Sequence, residues 1–252
     1  CGLDIRTSMQ EIHKIIGICP QFSILWDTLT CAEHLLFFAR LKGVPAGQQE
    51  RYVKRTLDQV GLGLAADRLA KNLSGGMKRR LSIAMALVGD PLFLVMDEPT
   101  TGLDPETREE LWRTLLQIRN SGPAILLATH AMDEAELLCT RVSILSRGTL
   151  KCVGDPHALR ERFCPSYTLN VNFVQGFNKD VVLQLFPGCE VVSEFESSAS
   201  FKVQPAEARR MSTIFKTMEV TIESGKVADW GLVRAGLEGV FLDVVQDEII
   251  SH

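Results

Sequence analysis

The chain has 252 residues, of which 46% are hydrophobic and 23% charged, and its formal net charge is −4. This length suits one large domain or one domain with an appendage, and the composition suits a globular protein with a full core. The weak negative charge gives no indication of a nucleic-acid partner. Seven cysteines without a CxxC pair indicate reduced thiols in a cytosolic setting rather than a disulfide framework.

The first predicted strand lies in the run 15–21 and stops at Pro20, so that Gln21 follows directly. A polar side chain at the end of a buried strand can reach into a site, although an ordinary loop glutamine is the alternative interpretation. Three predicted helices come next, and Thr30 and Glu33 form the capping box of the first. These helices cover residues 30–43, 48–60 and 77–88. We therefore expect an all-helical insert over about residues 24–89.

Two further apolar runs of strand length each stop on polar residues. The run 92–96 ends on Asp97 and Glu98, and the run 124–128 ends shortly before His130. A helical pattern lies between the two runs. This order predicts a parallel α/β sheet with its chemistry at the carboxyl ends of the strands.

The polar residues at these strand ends have specific chemical uses. Asp97 is placed to hold Mg²⁺, usually through water, and Glu98 can polarise an attacking water molecule. His130 can hydrogen-bond a γ-phosphate. The alternatives are two surface acids at a strand end and a structural histidine.

A glycine pair begins the third predicted helix. Ser74, Gly75 and Gly76 offer free backbone N–H groups at the positive end of a helix dipole, and glycine lets a phosphate approach the backbone. The alternative is an ordinary capped helix start.

The sequence pattern changes from residue 167, where predicted strands and helices follow the order βαββαβ with a terminal helix. Predicted strands cover residues 167–173, 190–196, 199–204 and 227–233, and predicted helices cover 179–186, 206–218 and 237–245. This order predicts a small ferredoxin-like α+β domain. We place the boundary near residue 164, with one domain over 1–164 and a second over 165–252.

Five signals occur in a fixed order at domain-scale spacing. They are Gln21, the LSGGM run at 73–77, the LFLVMDEP run at 92–99, the TGLD run at 101–104 and His130. This arrangement resembles the nucleotide-binding domain of an ABC transporter over residues 1 to about 163. The resemblance implies a P-loop NTPase-type, RecA-like α/β cassette with a helical insert, followed by a ferredoxin-like regulatory domain.

The resemblance also implies roles for individual residues, with ATP and Mg²⁺ as the bound groups. Its catalytic residues are Glu98, His130 and Gln21, its Mg²⁺ ligands are Asp97 and Gln21, and its nucleotide contacts are Ser74, Gly75, Gly76 and Asp104.

Shorter runs are similar to subfamily A, the lipid transporters. They are Asp-Ile-Arg at 4–6, Ile-Cys-Pro-Gln at 18–21, the run from Ser74 to Ser82 with Met77 in place of the usual glutamine, and Gly-Leu-Glu-Gly-Val-Phe-Leu at 236–242. This narrower resemblance implies an ATPase that drives lipid transport across a membrane, from the cytoplasmic face. It implies as partners a second nucleotide-binding domain in a head-to-tail dimer, the transmembrane domains of the same transporter and the lipid, with no nucleic acid.

One motif of the family is missing from the sequence. The first residue is Cys1, and no GxxxxGK[ST] loop occurs among the 252 residues. We therefore expect an N-terminally incomplete cassette that holds no ATP in its own site without the P-loop part. Two alternatives stay open: a non-catalytic fragment that pairs with another cassette, and a soluble ABC ATPase, which the single cassette and the acidic C-terminal segment disfavour.

Overall fold

The computed structural model describes residues 1–163, 166–174, 179–186, 188–203, 211–234 and 236–246. The chain divides into two units, Cys1–Leu138 and Cys139–His252. This division falls earlier in the chain than the predicted boundary near residue 164, which itself lies outside the described residues. The division into domains 1–164 and 165–252 therefore stays a prediction.

The N-terminal unit alternates helices and strands. Its elements are α1 (Met9–Ile15), β1 (Ile16–Cys19), α2 (Cys31–Leu41), α3 (Gln49–Gln59), α4 (Gly75–Leu87), β2 (Phe93–Asp97), α5 (Pro105–Asn120), β3 (Ala124–Ala128) and α6 (Met132–Leu138). Short 3₁₀ turns at Ala46–Gln48, Gly63–Ala65 and Ala70–Asn72 connect the helices of the insert.

The three strands of this unit form one parallel sheet in the order β1-β2-β3. In its register Cys19 lies opposite Met96, and Asp97 lies opposite Ala128. All three strands therefore end at the same edge of the sheet, as the sequence predicts. The segments that carry Gln21, Glu98 and His130 all leave the sheet at this edge.

Strand β1 lies directly against helix α4. A Cβ atom at Gly17 would collide with the main-chain oxygen of Ala86 and would lie 2.7 Å from Cδ2 of Leu94. Only a residue without a side chain permits so close a contact between a strand and a helix backbone. Gly17 thus fixes the distance between α4 and the sheet.

The predicted helical insert forms between β1 and β2. Thr30 Oγ1 accepts the N–H of Glu33 at 3.1 Å, and a carboxylate oxygen of Glu33 accepts the N–H of Thr30 at 2.7 Å, which completes the predicted capping box. Leu35, Leu57 and Leu81 from the three helices are buried in one core. Helix α4 begins two residues earlier than its apolar spacing indicates because Ser74 caps it.

Strand β3 pairs with β2 and is the last strand of the described sheet. Its residues Ala124, Leu126 and Ala128 are exposed and alternate with half-buried Ile125 and Leu127. The side chain of Leu126 is 55% exposed. One edge of this sheet is therefore an apolar strand.

The C-terminal unit contains two sheets. Its elements are β4 (Val142–Ser146), β5 (Thr149–Gly154), α7 (Pro156–Phe163), β6 (Tyr167–Phe173), α8 (Asp180–Leu185), β7 (Glu190–Phe195), β8 (Ser198–Val203), α9 (Met211–Glu223), β9 (Val227–Arg234) and α10 (Leu237–Gln246). Strands β4 and β5 form an antiparallel hairpin, and the other four form an antiparallel sheet in the order β7-β8-β6-β9. The order βαββαβ agrees with the ferredoxin-like prediction. Residues 206–210 of the predicted helix 206–218 lie outside the described residues.

This unit has a core of its own. Leu169, Phe201 and Ile214 are buried where the four-stranded sheet meets α9, and Val182 of α8 joins them. Helix α10 packs on α7 and buries Leu237, Val240 and Val244, which recur at helical spacing. Among the described residues, no helix has both the length and the apolar character needed to cross a bilayer.

Candidate functional site

Glu98 follows β2 in an unusual backbone conformation. Its φ is +48°, in the left-handed region that residues other than glycine seldom occupy. Its N–H donates to the main-chain oxygen of Ala128 at 2.8 Å, so the sheet hydrogen bonding continues one residue beyond β2. Strained backbone of this kind is concentrated at functional sites, where the surrounding structure stabilises it.

The Glu98 side chain contacts two other residues of the predicted motifs, His130 and Thr101. Nδ1 of His130 lies 2.6 Å from Oε2 of Glu98, and the hydroxyl of Thr101 donates to the same oxygen at 2.6 Å. The Glu98 side chain is 18% exposed, whereas that of His130 is 72% exposed. The carboxylate is thus held from two sides while the imidazole stays open to solvent.

These contacts shift both pKa values. Burial alone would raise the pKa of Glu98, but hydrogen bonds from Thr101 and His130, together with the histidine charge, lower it below its usual value. The hydrogen bond to Glu98 and its negative charge raise the pKa of His130. An ionised carboxylate beside a histidine that can carry a proton is suited to accept a proton from water and to donate a hydrogen bond to an anion.

Asp97 and Gln21 are exposed at neighbouring strand ends, at the end of β2 and just beyond β1. A carboxylate and an amide oxygen are hard ligands of the kind that Mg²⁺ takes, with water and phosphate oxygens completing the shell. Among the described residues no three His, Cys, Asp or Glu side chains form a metal cluster. The role of Asp97 and Gln21 as Mg²⁺ ligands stays a prediction.

A buried arginine joins these two strand ends, and sequence reasoning missed it. Arg79 of α4 is 4% exposed and donates to the main-chain oxygens of Pro20, Gln21, Asp97 and Pro99. The sequence did contain a signal. Arg79 lies three, four and seven residues before Ser82, Ile83 and Ala86, all of them buried, so it occupies the inner face of its helix.

The predicted phosphate-contacting residues Ser74, Gly75 and Gly76 lie at the start of α4. Ser74 Oγ accepts the N–H of Met77 at 3.3 Å and caps the helix. A Cβ atom at Gly75 would meet nothing within 4 Å, so a ligand can approach its backbone. A Cβ atom at Gly76 would collide with the methyl group of Thr107, so this glycine is needed for packing against α5.

Asp104 caps helix α5, close to the same place. Its carboxylate accepts the N–H of Thr107 at 3.0 Å, and this hydrogen bond lowers the pKa of Asp104. Because Thr107 also lies beside Gly76, the starts of α4 and α5 are adjacent. The structure thus gathers the predicted residues at two places, the sheet edge with Gln21, Asp97, Glu98 and His130, and the helix starts with Ser74, Gly75, Gly76 and Asp104.

A second residue missed by sequence reasoning is Glu134, which is fully buried in α6. Its Oε1 accepts the hydroxyl of Thr100 at 2.9 Å and the indole N–H of Trp112 at 3.1 Å. Thr100 comes two residues after Glu98, and Glu134 comes four residues after His130. Glu134 therefore joins the two segments that carry the Glu98–His130 pair.

Known proteins resemble this chain throughout its length. A family model described as ABC transporter matches residues 2–101. ABC transporter A family member 5 of Arabidopsis thaliana is 41% identical to the chain and aligns with 100% of it. ABC transporter A family member 7 of Dictyostelium discoideum is 36% identical and aligns with 96% of it. The chain spans 27% of the first relative's length and 29% of the second's.

Solved structures give the same result for the fold. The chain superimposes on cbiO1 from Clostridium perfringens, part of the ABC transporter complex cbiONQ, with a TM-score of 0.57 and 30% identity. That match covers 63% of this chain and 62% of the other. The ATP binding subunit of another ABC transporter matches with a TM-score of 0.56 and 28% identity, over 64% of this chain and 68% of that one.

Motif order, parallel sheet and whole-chain identity point to one family. The relatives that align with nearly the whole chain are A family members, and the superimposed structures belong to ABC ATPases. The chain therefore contains a segment that matches the ABC transporter family model and is homologous over its whole length to ABC transporter A family members.

Proposed function

We propose that this chain is part of the ATP-binding and ATP-hydrolysing portion of a subfamily A transporter. In this proposal the transporter uses ATP hydrolysis to move lipid across a membrane. The observation that carries the proposal is the contact between Glu98 and His130 beside Asp97, at the carboxyl edge of a parallel sheet. Ligands of open α/β sheets bind at this edge. The lipid and the cytoplasmic face of the membrane follow from the similarity to subfamily A and are part of the proposal.

In this proposal Glu98 acts as the general base of hydrolysis. Its carboxylate accepts a proton from the water whose oxygen attacks the γ-phosphorus, while the bond from that phosphorus to the oxygen bridging the β- and γ-phosphates breaks. His130 donates a hydrogen bond to the γ-phosphate. Asp97 and Gln21 would hold Mg²⁺, and the bound ion would supply charge neutralisation for the phosphate oxygens.

The start of α4 contacts a second nucleotide, which is bound by a partner cassette. Ser74 and the open backbone at Gly75 present N–H groups and the positive helix end to the ATP of a partner cassette. Gly76 and Asp104 form the adjoining surface of the same contact. Two cassettes therefore close head-to-tail, and the transmembrane domains of the same transporter convert this closure into transport.

The test is Glu98→Gln in the intact transporter that contains this chain. The amide keeps the size of the carboxylate but accepts no proton, so we expect ATP turnover to fall by roughly 10²- to 10⁴-fold. ATP binding, measured with a fluorescent nucleotide, should remain. The matched control is Glu109→Gln, an exposed acid on α5 paired with Arg113. Turnover of the Glu98 variant within about threefold of wild type would overturn the proposed role.

A further inference from the structure

The Arg79 side chain donates hydrogen bonds to four main-chain oxygens at once, and this set of hydrogen bonds is called here the Arg79 clamp. Its Nε donates to Pro99 O at 2.8 Å and its Nη2 to Asp97 O at 2.8 Å. Its Nη1 donates to Pro20 O at 2.6 Å and to Gln21 O at 3.0 Å. All four acceptors are backbone oxygens, so the guanidinium fixes the path of the chain and leaves the nearby side chains available.

The Arg79 clamp holds the main chain on both sides of Glu98, the proposed general base. Asp97 and Pro99 flank Glu98, so one buried cation holds the peptide unit just before its strained φ of +48° and the peptide unit that follows Pro99. Charge-assisted hydrogen bonds of this kind are shorter and stronger than neutral ones, and the planar fork of arginine gives them a fixed geometry. The arginine therefore stabilises the backbone conformation that directs the Glu98 side chain toward His130.

The clamp belongs to the helix whose start carries the glycine pair. Arg79 lies about one turn after Gly75 and Gly76 in α4. Because an α-helix is rigid over one or two turns, a displacement of its start moves the guanidinium with it. The same displacement then reaches Gln21 after β1 and Glu98 after β2.

We propose that Arg79 is a positioning residue that links helix α4 to the hydrolytic site of the same cassette. This inference rests on the proposed function, because it assumes that Glu98 acts on ATP. Closure of a partner's nucleotide on the start of α4 sets the position of Arg79, and Arg79 sets the backbone of Gln21 and Glu98. Nucleotide engagement at one site thereby adjusts the catalytic geometry of the other.

The experiment uses the intact transporter with Arg79→Lys and Arg79→Met, each measured alone and together with Glu98→Gln. Lysine keeps the charge but has three N–H donors for the four backbone oxygens, and methionine has none. Misplacement of a catalytic group by about 1 Å costs roughly 10²-fold in rate, so kcat should fall by about that factor in Arg79→Met and by less in Arg79→Lys. KM for ATP should change little.

The control variant is Arg80→Lys, one position along the same helix, where the side chain pairs with Glu110 on α5. It changes the same residue type without touching the clamp, so we expect its kcat to stay within about threefold of wild type. Turnover is expressed per folded molecule after measurement of the folded fraction by thermal melting.

The double variants separate positioning from folding. If Arg79 acts through Glu98, adding Arg79→Met to Glu98→Gln lowers single-turnover hydrolysis little further, since residues that act as a unit are strongly non-additive. A further drop as large as in the wild-type background would overturn the inference. Unchanged kcat in Arg79→Lys would also overturn it, and this variant decides the question if Arg79→Met does not fold. Unchanged turnover in Glu98→Gln alone refutes the proposed function instead.

Discussion

At the scale of single residues, the Glu98–His130 contact is a pair whose two charges depend on each other. His130 has its pKa raised by Glu98, and Glu98 has its pKa lowered by Thr101 and His130 against the effect of burial. The stabilisation from a raised histidine pKa is fully present below its usual 6.5 and is lost as pH rises through the raised value. The contribution of Glu98 is present above its usual 4.5 and is lost as pH falls through the lowered value.

We therefore predict that the pKa of His130 falls when its partner is neutralised. NMR titration of the histidine side chains in the cassette should show His130 titrating above 6.5 in the wild type and nearer to 6.5 in Glu98→Gln. The control is Glu109→Gln, which neutralises an exposed acid on α5 and should leave the His130 titration as in the wild type. An unchanged His130 titration in Glu98→Gln would show that the two side chains are not paired in solution.

At the scale of elements, Gly75 and Gly76 at the start of α4 have different structural roles. Space above Gly75 is open, so Gly75→Ala should leave stability unchanged or raise it, by up to about 1 kcal/mol from helix propensity. Gly76→Ala places a methyl group against the methyl of Thr107 and should lower the free energy of unfolding by about 1–3 kcal/mol. Urea denaturation measures both effects.

Thr107→Ser provides the control for this prediction because serine lacks the colliding methyl group but keeps the backbone N–H that Asp104 accepts. Combined with Gly76→Ala, it should restore most of the lost stability. Equal losses in Gly75→Ala and Gly76→Ala would contradict the packing role assigned to Gly76.

The elements show what sequence reasoning can reach. The capping box of Thr30 and Glu33 and the strand end at Asp97 were predictable because their signals are local in the chain. The inward position of Arg79 had a local signal in its helix, but its hydrogen-bond partners did not, because they are backbone oxygens 18 to 59 positions away in the chain and have no residue-specific signature. The buried carboxylate of Glu134 was missed for a related reason, since its partners Thr100 and Trp112 become neighbours only after folding.

For the candidate site, the sequence predicted positions more fully than roles. Motif order predicted which residues lie at strand ends, and the structure brings Glu98 to His130 at 2.6 Å. The side chains of Gln21 and Asp97 are exposed at neighbouring strand ends. Their roles as Mg²⁺ ligands remain predictions.

At the scale of the whole molecule, the two units have separate cores, and the last helix belongs to the second. Helix α10 buries Val240 completely, whereas Leu242 is 49% exposed. We predict that Val240→Asp destabilises the C-terminal unit by about 3 kcal/mol or more, because it buries a charge without a partner. Leu242→Asp should cost less than about 0.5 kcal/mol.

Hydrogen exchange followed by mass spectrometry measures this difference. Faster exchange in β6 and α9 should occur in Val240→Asp and not in Leu242→Asp. Exchange in the N-terminal unit reports whether the effect is local. The reverse ranking of the two variants would mean that α10 presents its other face to the core.

The open edge of β3 has a consequence for handling this polypeptide. The five residues Ala124–Ala128 are all apolar, with no proline and no charge, and on one side their main-chain groups face no strand of the described sheet. Such an edge is a template on which a strand from another molecule can add, and short uncharged segments rich in leucine and isoleucine do so readily. Produced on its own, the 252-residue polypeptide should therefore self-associate as its concentration rises, unless another strand covers β3.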